Sequence, residues 1–333
     1  MKKILITGGS GFVGLSLAKY LLETEKAEVT ILDIFKRDNR DHHFEKLIQH
    51  PNCHFHFFDI TDASNFSSLQ RDYFNEVFHF AALNGTSNFY KYPVDVLKVG
   101  TVGTINLLDW IVGQNIEKII FTSSSETYAG SLTAMGDRFP LPTPESIPLC
   151  INDIENPRWS YGSSKIIGEA AFFAYKEYHG IENFSIIRLH NIYGPRMGDE
   201  HVISQFIGRL LGGESPLKVY GGNCTRSFCF IDDVLNSINI LRENPETNGG
   251  IYNVGNDDEE IMISELAKIV VNISRYGCDI DIQSAPPGSV KRRCPDVSKI
   301  KKLGYKKTVP LKEGIQKTFD WYRAELTNSQ KEK

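Results

Sequence analysis

Short apolar runs alternate with stretches of helical periodicity through the first half of the chain. The run Lys3–Thr7 is typical of a buried strand, and apolar residues then recur at helical spacing over 11–22. Further strand-like runs follow at 29–32, 54–58, 77–80, 119–121 and 185–189. Strands that alternate with helices are typical of βαβ units, so the pattern predicts an α/β fold with a doubly wound parallel sheet.

The pattern changes after Asn191. Residues 193–232 hold many glycines, prolines and polar side chains, which predict mostly loops with one helix near Ser204. Helical periodicity returns at 262–273 and again at 311–325. We expect one domain at 1–183, with later strands from about 225–255 interleaved into its sheet, and mainly a smaller C-terminal lobe at 184–330.

Composition narrows the class of protein. With 41 % hydrophobic and 23 % charged residues and a net charge of −4, the chain carries no basic footprint for nucleic acid or a membrane surface. The apolar run near Ile4 is too short for a signal peptide, and no run approaches the roughly 20 residues that span a bilayer. The six cysteines form no CxxC pair and no cluster with histidine. We expect a cytoplasmic protein with free thiols and no metal site.

A glycine-rich segment follows the first predicted strand and opens the first predicted helix. Glycines let a backbone turn tightly and approach a pyrophosphate, whose charge meets the helix N-terminus. Glycine-rich runs also serve ordinary turns, but this context on both sides favours a dinucleotide-binding Rossmann domain. The spacing is G-x-x-G-x-x-G, and the residues expected at the cofactor are Gly8, Gly11, Phe12, Val13 and Gly14.

Acidic residues at two strand ends extend this predicted cofactor site. Asp33 closes the second strand roughly 20 residues further on, where an acid binds the ribose and repels the 2′-phosphate of NADP. Lys36 and Arg37 would suit that phosphate, but we interpret them as solvated surface charges. Asp59 and Ile60 are placed to meet the adenine, while Asp59 or Asp62 also suits a helix cap. The cofactor is therefore expected to be NAD, bound by the first domain.

A tyrosine and a lysine lie four residues apart in the segment YGSSK. On a helix this spacing puts Tyr161 and Lys165 on one face. A phenol with a pKa near 10 is a poor base at neutral pH, but a neighbouring ammonium favours the phenolate, which can accept a hydroxyl proton as hydride leaves the adjacent carbon. Hydroxyls and a carboxylate end a buried strand at Ser124, Ser125 and Glu126, at the sheet edge where such folds bind ligands.

These motifs together resemble the extended short-chain dehydrogenases that act on nucleotide sugars, almost from end to end. The resemblance implies that Ser124 orients the sugar O4, that Tyr161 is the base, and that Lys165 contacts the nicotinamide ribose. It adds Ala81 and Ala82 to the cofactor site. The matching segments are residues 8–14, DI at 59–60, HFAA at 79–82, SSETY at 124–128, YGSSK at 161–165, NIYGPR at 191–196, TRSF at 225–228 and RRCPD at 292–296.

The same resemblance implies a substrate site for a nucleotide diphosphate sugar in the C-terminal lobe. Without the resemblance, Asn191 would suit a turn, and Arg226 and Arg293 would suit an exposed surface. The predicted substrate-binding residues are Ser125, Asn191, Tyr220, Arg226 and Arg293. The chain departs from the family at Gly100, where many members carry an asparagine, so we expect a helix kink or a relay water to be held differently there.

The family shares a first step that oxidises the sugar at C4, and the ketone acidifies the neighbouring carbon. Glu126 is placed to move a proton there, although a lone glutamate also suits a salt bridge. Simple 4-epimerases carry a small or hydroxyl residue at this position, whereas dehydratases and decarboxylases keep the glutamate. The segments 156–161 and 225–229 most resemble UDP-glucuronate decarboxylases, with Arg293 meeting the substrate carboxylate. A 4,6-dehydratase and a 4-epimerase stay open, because residues 129–157 are longer than in most relatives.

A different class of function also stays open, that of a dinucleotide-binding regulator without turnover. Such proteins lose the tyrosine, the lysine or the hydroxyl, and all three are present here. Relatives commonly dimerise through the helix that holds Tyr161, which favours a homodimer. The apolar residues Ile166, Ile167, Ala170, Ala171 and Phe173 suit that interface, and they suit an ordinary buried helix equally well.

Overall fold

The computed structural model describes residues 1–36, 39–285 and 290–331, and only the backbone of residues 328–331. Arg37, one of the two basic residues weighed above for NADP, lies outside these residues. The chain divides into two compact units, each described by itself below. The first comprises Met1–Phe139, Ser146–Leu189 and Ile238–Tyr252, and the second comprises Pro140–Glu145, His190–Ser237 and Asn253–Lys333.

A seven-stranded sheet is the centre of the first unit, and it confirms the α/β class. Its spatial order is β7-β6-β5-β4-β1-β2-β3, and the pairings among β1 to β6 are all parallel. This order places the switch between the two halves at β1 and β4, where doubly wound sheets bind their ligands. The strands are β1 (Lys3–Thr7), β2 (Glu28–Asp33), β3 (Cys53–Phe57), β4 (Glu76–His79), β5 (Lys118–Ser124), β6 (Phe184–Leu189) and β7 (Gly250–Val254).

Burial on both faces explains why the inner strands are apolar without alternation. Leu5, Val77, Ile119 and Ile186 are fully buried, and helices cover the sheet. The first-unit helices are Phe12–Thr24, His42–Leu47, Thr86–Lys91, Pro93–Gly100, Val102–Ile111, Ala129–Met135 and Trp159–His179, with 3-10 turns at Ala63–Ser68, Ser125–Tyr128, Gly136–Arg138 and Pro245–Thr247.

Two of these helices meet at Gly100, where the chain departs from the family pattern. Pro93–Gly100 ends there, Thr101 departs from helical geometry with φ −110° and ψ −66°, and Val102–Ile111 begins at once. The helix Trp159–His179, called the Tyr161 helix below, ends on Gly180 with φ +69° and ψ 24°. The N–H of Gly180 donates to the carbonyls of Tyr175 and Lys176, a left-handed cap that suits glycine.

The second unit is built from helices and small sheets. Residues 193–232 contain three short strands in addition to the expected helix, so the prediction of mostly loops was wrong there; strands of two to four residues are too short to show an alternating pattern. Within 225–255, the strand that enters the main sheet is β7. The small sheets pair Ile192–Tyr193 with Cys229–Phe230, Leu217–Tyr220 with Ile280–Gln283, and Thr225–Ser227 with both Glu260–Met262 and Arg292–Arg293. The helices are Val202–Leu211, Ile231–Glu243 at the unit boundary, Ile263–Ser274, Ser298–Lys301 and Leu311–Lys331.

Among the described residues, no helix combines the length and the apolar character that crossing a bilayer requires. All six cysteines lie among the residues that the structure describes, and they are free thiols, as expected.

Candidate active site

The glycine loop between β1 and the first helix is packed against its surroundings so closely that side chains would not fit. A Cβ on Gly8, which has φ +72°, would lie 2.6 Å from the backbone N of Ala81. A Cβ on Gly14 would lie 2.4 Å from the carbonyl O of Gly8. Gly11 is the N-cap of the helix and provides no side-chain cap, so the backbone N–H groups of Phe12 and Val13 begin the helix without one. This cradle fits the pyrophosphate of a dinucleotide.

Asp33 ties the end of β2 to this loop. Its Oδ2 accepts a hydrogen bond of 3.0 Å from the N–H of Ser10, and its Oδ1 accepts one of 2.9 Å from the N–H of Phe35. Each carboxylate oxygen can accept a further hydrogen bond. The side chain is therefore held beside the glycine loop with acceptor capacity for the hydroxyls of a ribose.

The remaining predicted cofactor residues flank the loop at the ends of β3 and β4. Asp59 caps its own turn, because its Oδ1 accepts from the N–H of Thr61 at 2.8 Å. The helix cap proposed as its alternative role belongs to Asp62, which accepts from Ser64. Ile60 is buried. Ala81 donates its N–H to the Oγ1 of Thr7 at 3.3 Å.

Tyr161 lies in the first turn of its helix and is only 7 % exposed. Its ring stacks on Phe89, with centroids 5.0 Å apart and planes at 10°. Leu83 and Val96 complete this small cluster, and Ala82 packs against it. The ring is therefore clamped from one side, which fixes the direction in which the phenol can point.

Lys165 is one turn further along the helix and is 1 % exposed. Its Nζ donates to the carbonyl O of Thr122 on β5 at 2.7 Å and lies 5.9 Å from the centroid of the Tyr161 ring. Burial lowers the pKa of Lys165 to about 7, and the negative charge of Glu169 opposes that shift. The tyrosine and the lysine are thus together, as predicted, and the lysine is anchored to the strand that ends at Ser124.

Ser124 ends β5, and the 3-10 turn Ser125–Tyr128 that follows packs against the Tyr161 helix. The Oγ of Ser124 accepts from the N–H of Glu126 at 3.2 Å and so caps the turn Ser125–Tyr128. Ser125 is buried. A Cβ on Gly162 would lie 3.1 Å from the carbonyl O of Glu126, so only glycine allows this approach without a shift.

Glu126 forms an ion pair with Arg158, which immediately precedes the Tyr161 helix. Its Oε2 lies 3.7 Å from the Nη2 of Arg158, and both side chains are partly exposed. The salt bridge weighed above for Glu126 therefore exists, on the same turn as the Ser124 hydroxyl. Such a loose, partly exposed pair contributes little to stability and leaves the carboxylate able to exchange partners.

A fully buried histidine supports the switch point of the sheet. The Nδ1 of His79 lies 2.7 Å from the Oγ1 of Thr7, and its Nε2 lies 2.9 Å from the Oγ1 of Thr104. Burial lowers the pKa of His79 to about 3, and the charge of Lys165 adds to that shift, so the ring is neutral. Thr104 in turn donates to the carbonyl O of Gly100 at 2.8 Å.

The second unit contains a cavity of about 230 Å³, and three of the predicted substrate-binding residues line it. These are Asn191, Tyr220 and Arg226. Asn191 has φ +43°, as a turn residue can, and its side chain donates to the carbonyl O of Ser227 at 2.9 Å. It therefore serves the turn and lines the cavity at the same time. Tyr220 is half exposed.

The two arginines expected at the substrate lie on neighbouring strands of the second unit. Arg293 pairs with Arg226 in the parallel register of their small sheet. The Nη2 of Arg226 donates to the carbonyl O of Val290 at 2.7 Å, and its Nη1 donates to that of Thr225 at the same distance. Arg226 is only partly exposed, so it is not a free surface charge.

Three contacts of this site carry no sequence feature that would predict them. They are the stacking of Phe89 on Tyr161, the ion pair of Arg158 with Glu126, and the neutral bridge made by His79. The interaction of Glu169 with Lys165 was also missed, but the sequence could have indicated it, because the two residues have the i,i+4 spacing of a helix.

Comparisons with known proteins agree with this geometry. The model of the NAD dependent epimerase/dehydratase family matches residues 4–255. UDP-glucuronic acid decarboxylase 5 of Arabidopsis thaliana is 34 % identical over 328 residues, which are 97 % of this chain and 90 % of the relative. The dTDP-glucose 4,6-dehydratase of Streptomyces venezuelae with NAD and TYD bound has a TM-score of 0.83 at 26 % identity, covering 98 % of each chain. The UDP-glucose 4-epimerase of Thermotoga maritima with UDP-glucose has a TM-score of 0.82 at 26 % identity, covering 97 % of this chain and 99 % of its own.

Proposed function

This chain belongs to the NAD dependent epimerase/dehydratase family, and we propose that it decarboxylates UDP-glucuronate through a transient oxidation at C4. It is an NAD-dependent enzyme whose relatives act on nucleotide sugars, so a regulator without turnover is set aside. The observation that carries the proposal is the turn after β5. There a hydroxyl, Ser124, and a carboxylate, Glu126, stand two residues apart against the Tyr161 helix.

The first step is removal of the C4 hydroxyl proton. Ser124 orients the sugar O4, and the phenolate of Tyr161 accepts its proton while hydride leaves C4. The ammonium of Lys165 stabilises the phenolate, and the carbonyl of Thr122 holds that ammonium in place. The glycine loop and Asp33 would hold NAD, which would supply a reversible hydride acceptor for C4.

The second step is loss of carbon dioxide. A ketone at C4 makes the C5 carboxylate part of a β-keto acid. The bond between C5 and the carboxyl carbon breaks, its electron pair forms an enolate on the C4 oxygen, and carbon dioxide leaves. The acid form of Glu126 gives a proton to C5, and the Tyr161 phenol returns its proton to O4 as C4 is reduced. The net change is a nucleotide-linked pentose and carbon dioxide, with one proton consumed.

The second unit has a cavity of its own that suits a nucleotide sugar. We propose that Asn191, Tyr220 and Arg226 bind the diphosphate and sugar at their cavity, and that Arg293 meets the substrate carboxylate. The cavity of about 230 Å³ and its mixture of aromatic, amide and guanidinium groups support this assignment.

Mass spectrometry of UDP-glucuronate incubated with the purified protein and NAD tests the proposal. Loss of carbon dioxide is expected, and Tyr161→Phe is the matched control because it keeps the ring. Unchanged UDP-glucuronate would overturn the decarboxylase assignment. The same assay on neutral UDP- and dTDP-sugars would then separate a dehydratase, which removes water, from a 4-epimerase, whose product has unchanged mass and a different chromatographic retention.

We also propose a homodimer formed through the Tyr161 helix. Of the five apolar residues expected at that interface, Ile167, Ala170 and Phe173 are exposed, whereas Ile166 and Ala171 are half-buried. The neighbouring helices expose further apolar side chains on the same unit. These are Val94, Leu97, Val102 and Ile105. An exposed apolar surface of this kind supports a protein partner.

A further inference from the structure

A buried ion pair lies one helical turn beyond Lys165. The Oε2 of Glu169 accepts from the Nη2 of Arg188 on β6 at 2.6 Å, and its Oε1 accepts from the Nε of Arg188 at 2.9 Å. The two side chains are 5 % and 3 % exposed. This fork-to-fork geometry fixes both groups in distance and in orientation.

The pair also holds the two segments that carry the proposed reacting groups. The Oγ of Ser123, adjacent to Ser124, donates to the Oε1 of Glu169 at 2.5 Å. The Nη1 of Arg188 donates to the hydroxyl of Tyr128 at 2.7 Å, and Tyr128 ends the turn that begins after Ser124. Every partner in this network is buried.

Several groups face Lys165 from the elements packed around it. Tyr161 and Glu169 lie on its own helix, Thr122 offers a carbonyl from β5, and the neutral ring of His79 lies on β4. Glu169 provides the one negative charge acting on the ammonium of Lys165 among these described groups, and it opposes the effect of burial.

We propose that Glu169 and Arg188 are positioning residues of the redox site, which set a carboxylate one helical turn from Lys165 and hold Ser124 and Glu126 in register with the Tyr161 helix. This inference rests on the function proposed for Tyr161 and Lys165. Arg188 fixes the carboxylate of Glu169 through two hydrogen bonds, one helical turn from Lys165. The hydrogen bond of Ser123 to Glu169 fixes the end of β5, and that of Arg188 to Tyr128 fixes the turn Ser125–Tyr128.

The variants must separate charge from folding. Removing one partner leaves a buried unpaired charge and costs about 3–5 kcal/mol, whereas replacing both with neutral groups is often tolerated. Glu169→Gln is therefore paired with the double variant Glu169→Gln/Arg188→Met. The control is a second buried pair of the same unit, Glu76 with Arg242, whose side chains are 1 % and 2 % exposed at the opposite end of the sheet. Its double variant is Glu76→Gln/Arg242→Met. The further partners of this pair, Lys2 and Glu25, are partly exposed, so the double variant leaves them in contact with solvent.

The titration of Lys165 gives a readout that does not need turnover. The full-length protein is labelled with [ε-¹³C]lysine, and the Lys165 resonance is assigned with Lys165→Arg. We expect its midpoint to fall by about 0.5–1 pH unit in both Glu169 variants, because the opposing negative charge is gone. The Glu76→Gln/Arg242→Met control should keep the wild-type midpoint.

A double variant that unfolds at the wild-type urea concentration and titrates Lys165 at the wild-type midpoint would reduce the pair to a structural role. If neither Glu169 variant folds, Ser123→Ala and Tyr128→Phe test the inference, because they remove the hydrogen bonds to the pair and keep the charges of Glu169 and Arg188. They should lower kcat about 10-fold with KM unchanged, and wild-type kcat in both would overturn the inference. Failure of the proposed function is seen separately, as absence of turnover in the wild type with the lysine titration intact.

Discussion

A Cβ placed on Gly100 would lie 2.4 Å from the Oγ of Ser164 and 2.6 Å from its Cβ. Gly100 ends one helix, and Ser164 lies between Tyr161 and Lys165 on another, so this glycine sets how closely the two helices approach. The hydroxyl of Ser164 donates to the carbonyl O of Tyr161 at 2.8 Å. The departure from the family's asparagine at this position therefore accompanies a close helix contact beneath the proposed redox site.

Gly100→Ala should destabilise the protein by about 1–3 kcal/mol, because the added methyl group overlaps a packed side chain. Urea unfolding followed by circular dichroism measures the loss. The double variant Gly100→Ala/Ser164→Gly should recover most of it, since both atoms that meet the methyl group are gone. Gly208→Ala is the control, as a Cβ there meets open space on a helix. Equal stability of Gly100→Ala and the wild type would refute the contact.

Tyr161→Phe should lower turnover by about 10²–10⁴-fold, because the ring stays on Phe89 while the proton acceptor is lost. The unfolding temperature, and its increase on addition of NAD, should match the wild type. Product formation is measured by mass spectrometry with the nucleotide sugar that the wild type converts. A variant within a few-fold of the wild-type rate would rule Tyr161 out as the base.

Glu126→Gln should stop the reaction after C4 oxidation and loss of carbon dioxide, before C5 is protonated and C4 is reduced. The amide cannot give or take a proton, so product formation should fall by about 10²–10⁴-fold. A 4-keto sugar should remain detectable after trapping with borodeuteride, which places one deuterium on C4. Glu155→Gln changes an exposed carboxylate on the segment before the Tyr161 helix and should behave as the wild type. Normal turnover by Glu126→Gln would rule Glu126 out as the acid that protonates C5.

His79 should make the folded protein sensitive to acid. Its pKa is lowered to about 3 in the folded state from an ordinary value of 6.5, mainly by burial. The stabilisation is fully present above pH 6.5. It is lost as the pH falls toward 3, by about 1.4 kcal/mol per pH unit, because the unfolded chain binds a proton that the folded chain does not.

His79→Asn should therefore flatten the decline of the unfolding free energy between pH 6.5 and 4.5, although its stability at neutral pH is lower. Urea unfolding at several pH values measures the slope. His179→Asn is the control, because His179 is exposed at the end of the Tyr161 helix. An unchanged slope in His79→Asn would show that other groups govern acid unfolding.

The proposed homodimer predicts that Leu97→Glu/Ile167→Glu is a monomer, since charges would replace apolar side chains that are 37 % and 44 % exposed. Sedimentation velocity measures the mass in solution. Ile154→Glu, at a residue 87 % exposed outside these helices, should sediment as the wild type does. A wild-type protein that is already monomeric would contradict the proposal.

Local patterns account for what could be predicted of this molecule. The strands, the glycine loop with Asp33, and the pairing of Tyr161 with Lys165 all depend on residues close in sequence. Their order in the sheet follows from general rules of parallel folds. The short strands of residues 193–232 escaped prediction, because each depends on a partner far along the chain.

Long-range packing explains the contacts that sequence patterns did not indicate. Phe89 reaches Tyr161 across more than 70 residues, and nothing in its own neighbourhood distinguishes it from other core aromatics. Arg158 lies in the segment that resembles the decarboxylases, but nothing in that segment indicates its ion pair with Glu126, which is far earlier in the chain. The roles of the substrate-binding residues, the homodimer and the cytoplasmic location stay predictions.

The return of residues 238–252 to the first unit has a consequence for how the protein is made. Buried Glu76 accepts from Lys2 near the N-terminus and from Arg242 in this late segment, and buried Lys118 donates to Thr247 and Asn248 of the same segment. A nascent chain that has emerged as far as β6 therefore lacks one of the two cationic partners of Glu76 and both acceptors of the Lys118 ammonium. The dinucleotide-binding unit is incomplete as an N-terminal segment, and these buried groups gain their remaining partners only when residues 238–252 have left the ribosome.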